Sequence, residues 1–165
     1  MNLSPAEILA QAIKSEKEAK DLYSTLYQKV KNEVLRSKLR FLMFEEDKHQ
    51  EMLRRLFSQR FSRGELKLPN KSFLPKMKVG IDERTSVLDL FKLAMEAEKE
   101  SEEFYLRAAK KSKEKGNRRM FNYLSRVERS HFFMIKSEID LLSEFPDYYN
   151  VEDFHFGHEM VHIGP

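Results

Sequence analysis

Apolar residues recur three and four positions apart along four stretches of the chain, the spacing of one buried helix face. The first stretch opens at Ser4-Pro5-Ala6-Glu7, which reads as an N-cap, a proline at N1 and a capping-box glutamate at N3. Its apolar positions run Leu9, Ala12, Ile13, Ala19, Leu22, Leu26 and Val30. A short turn is expected near Lys31-Asn32, followed by a second helix carrying Leu35, Leu39, Leu42, Met43, Leu53, Leu56 and Phe57. The third starts at Ser86, with Asp89 in the capping-box position, and is expected to reach about Lys115. Gly116 and Asn117 then read as a C-terminal stop and a fresh N-cap. The fourth runs to about Phe145, where Pro146 ends it.

Between the second and third helices lie 23 residues, Ser62–Arg84, with Gly64, Pro69, Pro75 and Gly80 among them. Short loops are usual in helix bundles, so a connection this long needs a reason. Helices of about 28 residues span about 42 Å, and the connection reaches roughly 76 Å when extended. It can therefore run the length of the bundle and leave helices two and three parallel. The pattern predicts an all-α four-helix bundle over residues 1–145, with one long crossover at 62–84, the ferritin-like connectivity. An irregular C-terminal tail, 146–165, follows.

Composition narrows the chemistry. Of 165 residues 41% are hydrophobic and 35% charged, with five glycines and five prolines. That balance suits long solvated helices better than a many-turned β-sandwich or a disordered chain. There is no cysteine, which excludes disulfides, zinc ribbons, iron–sulfur clusters, rubredoxin-type iron and thiol nucleophiles. No apolar run approaches the roughly 20 residues of a membrane span, and the N-terminus lacks a signal-peptide pattern. A cytoplasmic protein with no membrane partner is expected. The formal charge is +3, but bases alternate with acids (KSEKEAKD, EAEKESEE), as on a solvated helix face. Nucleic-acid binding is not expected. One basic stretch, Arg54–Arg63, is less balanced and stands open as a surface for an acidic partner.

The two halves repeat at an offset of 82 residues. AIKSEKEAKDLY (12–23) aligns without gaps onto AMEAEKESEEFY (94–105), and the same offset carries Leu42 onto Leu124, Glu46 onto Glu128, His49 onto His131 and Met52 onto Met134. Each half thus holds a lone glutamate, Glu16 or Glu98, and thirty residues later a Glu-x-x-His, Glu46/His49 or Glu128/His131. The midpoint of Glu16 and Glu46 is residue 31, the expected turn, so a helical hairpin sets both carboxylates at one height. In the second half the midpoint is 113, slightly before the expected turn.

All six residues continue apolar stripes, unlike their neighbours Lys17, Glu18, Lys48 and Arg129. A buried carboxylate is costly unless protonated or paired, whereas a leucine there would contribute about 1.5–3 kcal/mol. A lone Glu in a helix is usually a surface residue, a lone Glu-x-x-His arises easily by chance, and a lone core histidine usually just finds a hydrogen bond. Six core-facing residues in two superposable sets are poorly explained that way. Two divalent cations would cancel four carboxylate charges, with two neutral imidazoles completing the donor set. Mixed Glu/His donors suit iron or manganese, with zinc a substitute.

These stretches, with EEDKHQEML and VERSHFFMI, resemble the rubrerythrin-like branch of the ferritin-like di-iron carboxylate proteins over about residues 4–145. The resemblance implies two iron ions, with Glu16 and Glu98 as terminal ligands, Glu46 and Glu128 as bridges, and His49 and His131 as one imidazole per metal. It also implies reduction of hydrogen peroxide in oxidative-stress defence. Two departures stand out. Rubrerythrins carry a further glutamate one turn after the third-helix ligand, where this chain has Ser101, mirrored by Ala19. They also carry a four-cysteine rubredoxin domain that this chain lacks, so electrons would come from a separate redox protein, rubredoxin-like or similar.

The leading expectation is a di-iron oxidoreductase taking peroxide, with Tyr23 and Tyr105 orienting the ligands. The alternative is a ferroxidase or iron-storage protein reacting with dioxygen, for which Ser101 leaves a symmetric site. A metal-free helical scaffold is the remote reading. Two bundles side by side, as a homodimer, would shelter Phe-rich faces. In the tail, His155, His158, Glu159 and His162 could gather at a second metal. The plainer reading packs Phe154 and Phe156 on the bundle or on a second subunit.

Overall fold

The computed structural model describes residues 3–62, 64–74 and 85–145, which form four α-helices. They are α1 (Pro5–Lys29), α2 (Glu33–Arg60), α3 (Val87–Lys111) and α4 (Lys115–Glu144). The start of α1 is held as its sequence demands: Ser4 Oγ accepts from the Glu7 N–H while the Glu7 carboxylate accepts from the Ser4 N–H at 2.7 Å. Asn32 caps α2 by accepting from the Leu35 N–H, and Ser86 caps α3 through Asp89.

The second turn departs from expectation. Helix α3 stops at Lys111, where the extended Ser112 donates its N–H to Ala108 and Ala109, and α4 begins at Lys115 after Glu114. Gly116 and Asn117 therefore lie in the first turn of α4. No described glycine has positive φ, so the left-handed stop a glycine would supply is not used. The turn at 112–114 is centred on 113, where the midpoint of Glu98 and Glu128 puts it.

Helix order follows from two core clusters. At one end Leu22, Leu26 and Val30 of α1 meet Leu35, Leu39 and Leu42 of α2, Leu90 and Phe91 of α3, and Ile135 of α4. At the other end Leu9 and Ile13 meet Leu53, Phe57, Tyr105, Ala108, Phe121 and Leu124. The starts of α2 and α3 thus share one end and their finishes the other, so these two helices are parallel, as the long crossover requires. The crossover returns along the bundle. Leu66 and Leu68 pack on the second cluster, Phe73 stacks on Phe104 at 4.1 Å, Leu74 is buried, and Ser72 donates its hydroxyl to Glu18. Residues 75–84 and the tail 146–165, with its histidines, lie outside the described residues. Phe41, Phe44 and Phe133, among the phenylalanines a paired bundle would shelter, are about half exposed. No described helix is long and apolar enough to cross a membrane.

A Cβ at Gly116 would meet no atom within 4 Å. Gly116→Ala is expected to stabilise the protein by about 0.5 kcal/mol through helix propensity, read as a small rise in melting temperature. A fall would contradict the placement of Gly116 inside α4.

Candidate metal centre

The six residues converge at mid-height between the two apolar clusters, one glutamate from each of α1 and α3 and a Glu-x-x-His from each of α2 and α4. Glu16, Glu46, His49, Glu98, Glu128 and His131 are each exposed by 2% or less. They form two overlapping groups: Glu16, Glu46, His49 and Glu128, and Glu46, Glu98, Glu128 and His131. Within each group one donor atom per residue lies within 4.8 Å of the rest. Glu46 and Glu128 belong to both.

The contacts are crowded in a way hydrogen bonding alone does not explain. His49 Nδ1 stands 3.2 Å from oxygens of Glu16, Glu46 and Glu128 together. His131 Nδ1 lies 3.3 Å from Glu46, 3.6 Å from Glu98 and 3.8 Å from Glu128. One ring N–H can aim at only one such oxygen. Accordingly Glu46 Oε1, Glu98 Oε2, Glu128 Oε1 and His131 Nδ1 are buried without a hydrogen-bond partner. Native interiors rarely leave polar atoms so. Carboxylate oxygens and imidazole nitrogens crowded around common points, with lone pairs unspent, fit the donor set of a pair of divalent metal ions.

Each tyrosine reaches across to the other half. Tyr23 of α1 donates its hydroxyl to Glu98 Oε1, and Tyr105 of α3 donates to Glu16 Oε1. Burial first, and then the Glu98 and Glu46 charges, push the Tyr23 hydroxyl well above its ordinary range. Burial and the charges of Glu16 and Glu128 do the same to Tyr105. Both therefore remain donors that fix one oxygen of each lone glutamate. This crossing was not legible in the repeat, which pairs each tyrosine with the glutamate seven residues before it. Two further polar features also went unforeseen. Glu138 is buried two turns beyond His131 and is paired with Lys38 of α2. Glu18 clamps the crossover through Ser72. Position 138, three residues after Ile135 on the apolar stripe of α4, carried the signal for the first.

Electrostatics describe a site that holds protons when no cation is bound. Burial and the Glu16 charge push the Glu46 carboxyl up to about 8. Burial, with Glu16, Glu46 and Glu98 nearby, lifts Glu128 well above the usual range. For Glu16 burial is outweighed by hydrogen bonds with Glu46, His49 and Tyr105, which hold it below its ordinary value. Burial alone would lower His131, but Glu46 and Glu98 outweigh it and raise the imidazole to about 10. His49 is raised as well, by Glu128, Glu16 and Glu46 against the effect of burial.

Comparison with known proteins places the chain in a family. The Rubrerythrin family profile matches residues 7–139, and the chain belongs to that family. A hypothetical protein from Pyrococcus furiosus is similar in structure, with 35% identity and a TM-score of 0.79 over 86% of this chain and 92% of that one. An uncharacterized conserved protein from Magnetospirillum magnetotacticum shares the fold at 22% identity and a TM-score of 0.58, over 84% of this chain and 95% of that one. Among curated proteins none matches.

The raised carboxyls set a pH dependence. Glu46 titrates near 4.5 when free and at about 8 when folded, so between these values the folded chain holds more protons than the unfolded one. Stability then falls as pH rises through that window. His131, with 6.5 against about 10, extends the fall. The melting temperature of the metal-free protein should drop from about pH 5 to about pH 8, and saturating Mn(II) should remove most of the drop. A pH-independent melting temperature, or one that Mn(II) leaves untouched, would contradict this.

Proposed function

We propose that the chain is a non-haem di-iron oxidoreductase that reduces hydrogen peroxide, drawing electrons from a separate redox protein. The observation that carries the metal reading is the pair of buried Glu/His groups sharing Glu46 and Glu128. Family membership supports iron, and supplies the preference for peroxide. Glu16 and His49 would hold one ion, Glu98 and His131 the other, with Glu46 and Glu128 between them. Manganese or zinc could take the same donors.

A bound ferrous pair would supply the two electrons that peroxide reduction consumes, one H₂O₂ and two protons giving two waters. The chain's own groups set the conditions for that exchange. Tyr105 and Tyr23 hold one oxygen of Glu16 and of Glu98, leaving each second oxygen to face the centre. The Leu and Ile side chains of the two core clusters close the site above and below. Glu46 and Glu128, whose carboxyls hold protons in the absence of a cation, would give them up as cations bind.

A ferroxidase reacting with dioxygen is the second reading. It is favoured by buried Ser101, which stands where a rubrerythrin has its additional glutamate, and by the absence of a fifth carboxylate in the groups among the described residues. The metal-free scaffold would leave the orphaned donors unexplained.

Anaerobic loading with Fe(II) followed by stopped-flow mixing separates the two reactive readings. Oxidation is expected to be faster with peroxide than with dioxygen; the reverse order would favour the ferroxidase. Glu16→Ala should leave about one iron per chain, and Glu46→Ala fewer than one, because Glu46 serves both ions. Tyr105→Phe should weaken metal binding about 10-fold or more, as loss of an orienting hydrogen bond does. Two irons retained by Glu46→Ala would overturn the shared-ligand assignment.

A further inference from the structure

The bundle's two ends are related by the 82-residue repeat, so each is a control for the other, and they differ. The α3–α4 connection, residues 110–119, carries six cations (Lys110, Lys111, Lys113, Lys115, Arg118, Arg119) against Glu114. The equivalent residues 28–37 carry Lys29, Lys31 and Arg36 against Glu33. The exposed finish of α2, with Arg54, Arg55 and Arg60, lies at the same end as the basic connection. Lys111 and Lys113 make no ion pair among the described residues, while Arg60 is shared with Glu114 at 3.4 Å.

An apolar cavity of about 290 Å³ opens among these charges. Its floor includes Leu9, Leu56 and Phe121, and its rim Arg60, Lys111 and Lys113. A second groove of about 220 Å³ adjoins it, shares Ile8, Ala108 and Lys111, and adds Phe104 and Arg107. Both lead to one residue. The Phe121 ring stacks on Tyr105 with centroids 6.1 Å apart, and the Phe104 ring meets Tyr105 edge-on at 5.6 Å. The Tyr105 hydroxyl donates to Glu16. From cavity floor to the candidate ligand is thus two side-chain contacts. At the other end the repeat places Leu39 and Leu22 where Phe121 and Phe104 stand, and Tyr23 shares its cluster with those leucines and with Phe91.

We propose that this basic end, around the cavity lined by Leu9, Leu56 and Phe121 and rimmed by Arg60, Lys111 and Lys113, docks an acidic one-electron carrier protein. There it passes electrons inward by way of Tyr105 and Glu16. The proposal rests on the di-iron reading for its purpose, and names the partner surface of that same site. Two successive one-electron transfers, each oxidising one carrier, replace the two electrons that one peroxide removes. Electron transfer through protein falls steeply with distance, and the contacts through Phe121 and Tyr105 give a carrier seated here a continuous packed route to Glu16. Clustered cations speed and orient such an encounter. The apolar floor suits a protein surface with an apolar centre and an acidic rim; a nucleic-acid backbone has no use for it.

The probe is a reduced, acidic rubredoxin at low ionic strength, with the iron-loaded protein. Binding is read by calorimetry, and re-reduction of the peroxide-oxidised centre by stopped flow with rubredoxin or dithionite. Lys111→Glu with Lys113→Glu should weaken binding and slow re-reduction by rubredoxin about tenfold or more, leaving oxidation by peroxide and re-reduction by dithionite unchanged. Lys31→Glu with Lys92→Glu, at the opposite end, should change either by less than about twofold. Equal effects of the two pairs, or none, would overturn the docking site. So would a DNA duplex that binds as tightly and responds to the same reversals. Should the parent chain fail to oxidise with peroxide, the function proposed above falls, while calorimetry still decides the docking surface.

Discussion

Four carboxylates and two imidazoles lie in the middle of a helical bundle, in a volume that leucine would fill at far lower cost. Like charges at such close quarters cannot all be ionised in a dry interior. Without a cation the site must hold protons, which is why Glu46 and Glu128 are pushed upward while both histidines are drawn toward imidazolium. Metal ions would do the same neutralising with geometry added, satisfying donors that otherwise have no partner. The apolar clusters above and below close the site from both ends, and the long crossover exists to let α2 and α3 run parallel around it.

The duplication organises how that cost is met. Each half contributes an equivalent set of two glutamates and a histidine, and the tyrosines cross so that each half steadies the other's lone glutamate. Where the halves differ, something besides the site is at stake. The Lys38–Glu138 pair has Met120 and Leu56 as its counterparts, so one end of the α2/α4 seam is polar and the other apolar. The rings of Phe104 and Phe121 beside Tyr105 are replaced by Leu22 and Leu39 at the opposite end, and the α1–α2 connection is less basic than the α3–α4 one. Symmetry accounts for the two matching Glu/His groups, and its breaking gives the bundle a direction.

Much of this was legible in the chain because helices and their ligands obey a period. The stripes through Leu9–Val30 and Phe121–Leu142 located the helices, and the offset of 82 residues picked out, from many glutamates, the four that the structure buries together with His49 and His131. The second turn was misplaced because Gly116 and Asn117 have the residue types of a stop and a cap, yet a chain of sufficient helix propensity carried them inside α4. The repeat's own midpoint, 113, was the better guide. Contacts between helices were beyond reach of the pattern. A period tells which face a residue takes, but not that Tyr23 meets Glu98 or that Ser72 closes on Glu18, since those depend on how the helices cross.

The central claim, that the six buried side chains are one two-metal centre, is tested most directly by anomalous X-ray diffraction at the iron edge. The crystals would come from protein loaded anaerobically with Fe(II). The account predicts two peaks about 3.5–4 Å apart, one beside His49 and Glu16, the other beside His131 and Glu98, with Glu46 and Glu128 reaching both. A single peak, or iron bound only outside these six residues, would contradict it.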